Sequence, residues 1–464
     1  MHGGTLAGPL ASTASRAPLP WVALAVFLSV HLAMLAYDFV HPEVFLKTDR
    51  AATRLEAIQG LLASPSWSAV LQYLGTHGNP GDYALHALAL ATVGRYGLIL
   101  LQTALTLLSA VAVYRIALLL GLSRRVSVAA MCVYLLLPHT LILPHQLSTE
   151  PLHVPLLAIS TWLVLESVRT GRTGLLVASA LLLGVATLIR PITLLWPAVV
   201  AVALMRYRDW RGGVAYAALA VAPVLLWMGF VWMQTGELGM GRSNHSLSRN
   251  LYLRVEWIAD TLPADERRQA QARYLTQGPE GEASPLTYLR FGMEHPLALV
   301  RQTGVDAAMF VGKSGIERLS IDYLQADAAA RREVQHPRYG WRYRLQTEGV
   351  YPTLIYLWDK VGVIVAVSVI GSLAMAALFA LALVGAWRLL RPAGPRAPTQ
   401  ALAATLLIAL PIYVFAFSQV VPGVQSRHRA PAEFAIVILA TLGYGIVRDR
   451  LSGRARLRSQ ATMS

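Results

Sequence analysis

An aspartate flanked by basic residues, in the segment Lys47-Thr48-Asp49-Arg50 with Arg54 close behind, is the strongest chemical signal in this chain. It follows an apolar run, so its carboxylate stands where the chain leaves that run. A carboxylate held there can take a proton from an attacking hydroxyl, and neighbouring cations can stabilise an anionic leaving group. Asp49 is the candidate general base. The plainer reading is a capping acid: Thr48 fits an N-cap, and Asp49 falls in the first turn of the helix that follows, where the helix dipole favours negative charge. Lys47, Arg50 or Arg54 would then simply pair with it.

The other candidates stand at the ends of apolar runs. Glu150 lies in Pro144-His145-Gln146-Leu147-Ser148-Thr149-Glu150-Pro151, either as a cap before Pro151 or as a group orienting a substrate sugar or an arginine. Arg190 ends the run Leu181 to Ile189 and precedes Pro191. Arginines snorkel from such places, but a guanidinium also binds phosphate in a bidentate fork and keeps its charge. Arg427-His428-Arg429 lies in a short connection before the last run, and His77 precedes the turn Gly78-Asn79-Pro80-Gly81. Asp38 reads as a solvated boundary residue, and His145 and His153 as hydrogen-bonded structural residues. Neither structural-zinc spacing nor a P-loop or dinucleotide fingerprint occurs.

The elements that must position these residues are apolar helices. The chain of 464 residues is 55% hydrophobic and 14% charged, and its mean hydropathy is +0.49. These values exclude an ordinary soluble domain. Runs near 20–36, 96–121, 126–144, 151–168, 174–190, 191–205, 213–233, 360–386, 400–420 and 432–447 predict about ten transmembrane helices (nine to eleven). The expected class is all-α integral membrane. The pair meeting at Arg190-Pro191 is either one broken helix or two short ones. With the N-terminus inside, every inner connection carries arginines, among them Arg124, Arg125, Arg169, Arg172, Arg206, Arg208, Arg211, Arg388, Arg391 and Arg396. The net charge of +15 then reflects topology and anionic headgroups rather than nucleic acid, because the basic residues are scattered over separate loops.

The expected organisation runs from a disordered cytoplasmic N-terminus, 1–19, to a transmembrane module, 20–233, whose first outer loop covers 38–95. There Tyr83 to Val93 reads as an interfacial helix. A helical extracytoplasmic cap follows over 234–358, with an amphipathic stretch from Pro285 to Val311. C-terminal spans, 359–447, and a basic cytoplasmic tail, 448–464, complete the chain. The stretch Trp21 to Tyr37 reads as an uncleaved anchor, and the single cysteine, Cys132, precludes an intrachain disulfide.

In order and sidedness, several segments resemble the GT-C superfamily of polytopic glycosyltransferases, in the branch of protein O-mannosyltransferases and lipid A aminoarabinose transferases. They are Thr48 to Ile58, His77-Gly78-Asn79-Pro80-Gly81-Asp82-Tyr83, Leu147-Ser148-Thr149-Glu150-Pro151-Leu152, Leu188-Ile189-Arg190-Pro191 and Arg427-His428-Arg429-Ala430-Pro431. The resemblance covers roughly 20–230 and, more loosely, the last spans. It implies a polyprenyl-phosphate sugar donor and a lipid, glycan or protein acceptor at the outer face of a bacterial inner membrane. It also implies inversion at the anomeric carbon, with Asp49 as base. Lys47, Arg190, Arg427 and Arg429 would bind the donor phosphate, and Glu150, His428, His77 and Arg50 would orient substrate. The family's second acid is Arg50 here, which points away from a paired-carboxylate metal site and toward no cofactor. Two other readings stay open. A polysaccharide polymerase or ligase would rely on Arg249, Arg254 or His295 of the large loop, and the other is a lipid or polysaccharide transporter.

Overall fold

A computed structural model describes residues 19–46, 51–77, 79–236, 238–241, 243–275, 283–316, 344, 348–392, 394–420 and 426–461. Among these residues the protein is all-helical. Its helices are α1 (Leu19–Val40), α2 (Ala51–Leu62), α3 (Trp67–His77), α4 (Pro80–Leu119), α5 (Arg124–Leu135), α6 (Pro138–Ile142), α7 (Glu150–Thr170) and α8 (Thr173–Ile189). Then come α9 (Trp196–Tyr207), α10 (Trp210–Thr235), α11 (Ser243–Ala259), α12 (Ala264–Tyr274), α13 (Pro285–Glu294), α14 (Pro296–Gly312), α15 (Val350–Leu390), α16 (Pro398–Ser418) and α17 (Glu433–Ala461). One helical turn, Ser426–Arg429, precedes α17.

All ten apolar runs are helical; among the described residues seven helices are long and apolar enough to cross a membrane, and Thr173–Ile189 and Pro191–Tyr207 are shorter apolar helices. The run 126–144 is bent by 59° between α5 and the short helices after Pro138; counted as one broken span, it makes eight. Pro138 cannot donate a backbone hydrogen bond and ends α5. The pair meeting at Arg190 is two short helices, since Arg190 is extended (φ −146°, ψ 111°) and Pro191 follows it.

Other boundaries also shift. Tyr83 to Val93 lies in a helical stretch that runs on from Pro80 and is separated by the non-helical Gly94 (φ 67°, ψ −174°) from the apolar run that follows, so α4 is two helices meeting at a kink. The helix α15 begins at Val350, within the expected loop, and its apolar span covers Ala366–Leu390. The basic tail from 448 continues α17 as helix to Ala461.

The main core joins Val113 and Ile116 of α4, Leu157 and Leu165 of α7, Leu183 of α8, Leu407 of α16 and Phe434 of α17. A second core holds α2 (Ala51, Ile58, Leu61) against α4 (Leu98, Ile99) and Leu147. The most extensive helix pair is α15 with α17. A Cβ on Gly385 would overlap the Leu439 carbonyl, and one on Gly443 the Leu381 carbonyl. Small residues let two backbones approach this closely where hydrophobic burial between spans supplies little drive. Helices α11 to α13 enclose a small separate core of Val255, Ile258, Leu262, Ala270 and Phe291, within the segment expected to form the cap.

Candidate functional site

Glu150 opens α7, where Pro151 occupies a position that needs no donor. Its carboxylate lies 2.8 Å from the Arg190 guanidinium, and Thr149 Oγ1 donates to Glu150 Oε2 at 3.0 Å. Arg190 reaches it because the chain breaks between α8 and α9 there, leaving the side chain at a helix junction rather than in mid-helix. Arg427 and Arg54 also act electrostatically on Glu150. Arg190, Arg427, Glu150 and Lys313 act in turn on the buried ring of His428. Residues from α2, α7, the α8–α9 junction, the end of α14 and the turn before α17 thus meet at one place.

Arg54 ties this cluster to a second carboxylate. Its Nε donates to Asp82 Oδ2 at 2.8 Å and its Nη1 donates to the Leu147 carbonyl at 2.9 Å. Burial alone would disfavour its charge, but the Asp82 and Glu150 carboxylates outweigh that and push its pKa above the ordinary arginine value. Asp82 is fully buried one turn into α4 and lies 3.0 Å from His86 Nδ1. The cluster, counted over the described residues, therefore sets four cations (Arg54, Arg190, Arg427, Lys313) against two carboxylates. Guanidinium groups such as these bind anions in a bidentate fork.

Arg429 and His428 part company. Arg429 is fully buried and points away from the Glu150 cluster: Nε donates to Glu433 at 3.1 Å and Nη1 to the Phe310 carbonyl. Glu433 also pairs with His139 Nδ1 at 2.7 Å. The His139 ring packs on Gly315, whose positive φ (86°) lets the chain after α14 tuck against α6. Glu150 and Glu433 line one small cavity, about 20 Å³, together with His139 and Tyr134. That is room for about one water. Arg429 thus holds the turn that carries Arg427 and His428.

Asp38 is not a solvated boundary residue. Helix α1 continues past it to Val40, and its carboxylate accepts a 2.6 Å hydrogen bond from His145 Nδ1 while being fully buried. His145 in turn meets His31 Nδ1 at 2.8 Å. This chain of contacts fixes the segment leading to Glu150 onto α1, as the structural reading of His145 expects. His153 likewise reaches Thr193 at 3.5 Å. Lys47, Asp49 and Arg50 lie outside the described residues, two of them within two positions of buried Ala51. His77 ends α3, and its side chain lies outside the described set.

Of the sequence candidates, the structure brings Glu150, Arg190, Arg427 and His428 together. It adds Arg54, Asp82, Lys313, His139 and Glu433. Asp82 carried a signal, since it follows the Asn79-Pro80-Gly81 turn at the start of a helix. Lys313 carried none. Among the described residues no group of three or more His, Cys, Asp or Glu side chains is arranged to hold a metal ion. A larger groove, about 360 Å³, lies in the cap between Thr261, Glu266, Glu294, His295 and Arg301, away from this cluster. No family model matches this sequence, and no curated protein matches it. The glycosyltransferase resemblance rests on this chain's own sequence motifs.

Proposed function

We propose that the protein is an integral-membrane glycosyltransferase of GT-C type. It moves a sugar from a polyprenyl-phosphate donor to an acceptor hydroxyl on the extracytoplasmic face of a bacterial inner membrane, with both termini cytoplasmic. The observation that carries this reading is the convergence of Arg54, Arg190, Arg427 and Lys313 on Glu150 and Asp82. These groups come from ends of apolar helices, the depth at which the phosphate of a membrane-embedded lipid lies. Buried ionisable groups at such positions are costly and are by default functional.

In this reading Arg190 and Arg427, with Lys47, bind the donor phosphate. Glu150 holds Arg190 in place, and His428, Arg50 and His77 orient the sugars. Asp49 takes the proton of the acceptor hydroxyl as its oxygen bonds to the anomeric carbon from the face opposite the phosphate. The bond from that carbon to the phosphate oxygen breaks, and its electron pair leaves on polyprenyl phosphate, whose charge the arginines stabilise. Arg429 acts indirectly, through the turn it anchors. Charge neutralisation is assigned to arginine and lysine, so a divalent metal is not required.

Of the residues that the polymerase or ligase reading names, Arg254 is fully buried and ion-paired to Asp306, a contact that ties α11 to α14. The test is transfer or release of sugar from a panel of polyprenyl-phosphate sugars by purified protein, wild type beside Asp49→Asn, with and without EDTA. Turnover that resists EDTA and is lost in Asp49→Asn is expected. Turnover equal in both proteins removes Asp49 from the chemistry. Absence of turnover with every donor and a supplied acceptor mixture favours the polymerase and transporter readings.

A further inference from the structure

The cap carries an apolar stripe that its own core does not use. Leu286, Leu289 and Met293 recur along one face of α13, and Leu297 and Val300 extend the line onto α14 past the break at His295. All five are 55–84% exposed. The opposite face of α13 is already satisfied, since Phe291 is fully buried against Val255, Ile258 and Leu262 of α11 and the turn after it. A contiguous exposed apolar patch on an extramembrane unit marks a contact surface.

The depth of α14 says what that contact is. Near its C-terminal end, Phe310 packs between two spans, its ring centroid 5.3 Å from Phe415 of α16 and 6.1 Å from Phe379 of α15. One turn earlier, Asp306 pairs with Arg254, whose Nη2 also donates to Gln419 at 3.1 Å. Gln419 is the first residue beyond the end of α16. Asp306 therefore sits at the edge of the hydrocarbon layer, and Val300 is six residues further out, about 9 Å along the helix at most. The headgroup layer itself is roughly 5–7 Å deep on each side. Beyond Arg301, the exposed side of α14 continues through Gly304, Val305 and Ala308 toward the spans without a further charge. Exposed Arg290 and Arg301 flank the stripe, where they would meet anionic headgroups.

We infer that the α13–α14 edge of the cap lies in the headgroup layer of the bilayer, with Leu286, Leu289, Met293, Leu297 and Val300 dipped into lipid and α14 leaving the hydrocarbon edge at a shallow angle. The occupant of the stripe is the lipid surface, not a second protein. The cap is then a fixture on the membrane beside Lys313 and His428, and it confines the candidate site to partners that arrive along the bilayer. This inference rests on the membrane architecture alone and stands whether or not the protein transfers sugars.

Nitroxide labels at Leu289→Cys, Leu297→Cys and, as a solvent reference, Asp265→Cys, each in a Cys132→Ala background, test it. The full chain is reconstituted in vesicles of phosphatidylethanolamine and phosphatidylglycerol. Collisions with oxygen, which partitions into lipid, are compared with those of a water-soluble nickel chelate. Positions 289 and 297 are expected to favour oxygen over nickel by several-fold relative to position 265. Nickel access at 289 and 297 equal to that at 265 overturns the inference. Protection from both reagents also overturns it, because a protein surface would then cover the stripe.

Discussion

Removing the charge of Glu150 should cost more than removing that of its partner Arg190, and the surroundings say by how much. At 2.8 Å the pair attracts by about 6 kcal/mol with an effective dielectric constant near 20. Desolvation of the two ions offsets most of that, so the pair as a whole is worth little. Removing one partner of such a pair still costs about 3–5 kcal/mol, because the other is left stranded. The two losses differ here. Without Arg190, Glu150 still faces Arg427 and Arg54, so Arg190→Met should cost only about 1–2 kcal/mol, below that range. Without the carboxylate, Arg190, Arg427 and Arg54 face one another, and Glu150→Gln should cost the full 3–5 kcal/mol. An anion can take the place of the lost carboxylate. Thermal unfolding of the detergent-solubilised protein, with and without millimolar inorganic phosphate, reads both effects. Glu150→Gln should unfold at the lower temperature and recover more on adding phosphate than wild type does. Equal losses in the two variants, or no response of Glu150→Gln to phosphate, would refute the idea of a shared cationic cluster.

Two more outcomes follow from packing and topology. Gly443→Ala places a methyl group against the Leu381 carbonyl, so an overpacking cost of about 1–3 kcal/mol exceeds the gain of about 0.5–1 kcal/mol from replacing a helical glycine. Gly445→Ala, with open space around it, should keep that gain, and the order of the two unfolding temperatures checks the helix contact. In a Cys132→Ala background, a membrane-impermeant thiol reagent applied to intact spheroplasts should label Asp260→Cys and spare Thr170→Cys. Labelling of position 170 from outside would invert the proposed sidedness.

The helices were legible in the sequence, because ten apolar runs, most of them of membrane length, leave few alternatives. Their breaks were largely legible: Pro138 and Pro191 mark two, and the change from the stretch 83–93 to the apolar run from 96 marks the one at Gly94. Residue type and position at the end of a run picked out Glu150, Arg190 and Arg427. Partner choice was not legible. Asp38 reads as solvated until His145, 107 positions away, is seen to bury it. Arg429 sits two residues from Arg427 and has the same chemistry, yet the direction of one helical turn commits it to Glu433. Such assignments depend on contacts between distant segments, which periodicity within a segment does not encode.

The cluster around Glu150 has a consequence for biogenesis. Its members stand at positions 54, 82, 150, 190, 313 and 427, so the ribosome must pass position 427 before the last cation exists. A nascent protein inserted as far as α16 holds Glu150 and Arg190 but neither Arg427 nor the turn anchored by Glu433. The complete cluster therefore arrives only with the segment that carries Arg427, and products truncated before it would lack the complete cluster.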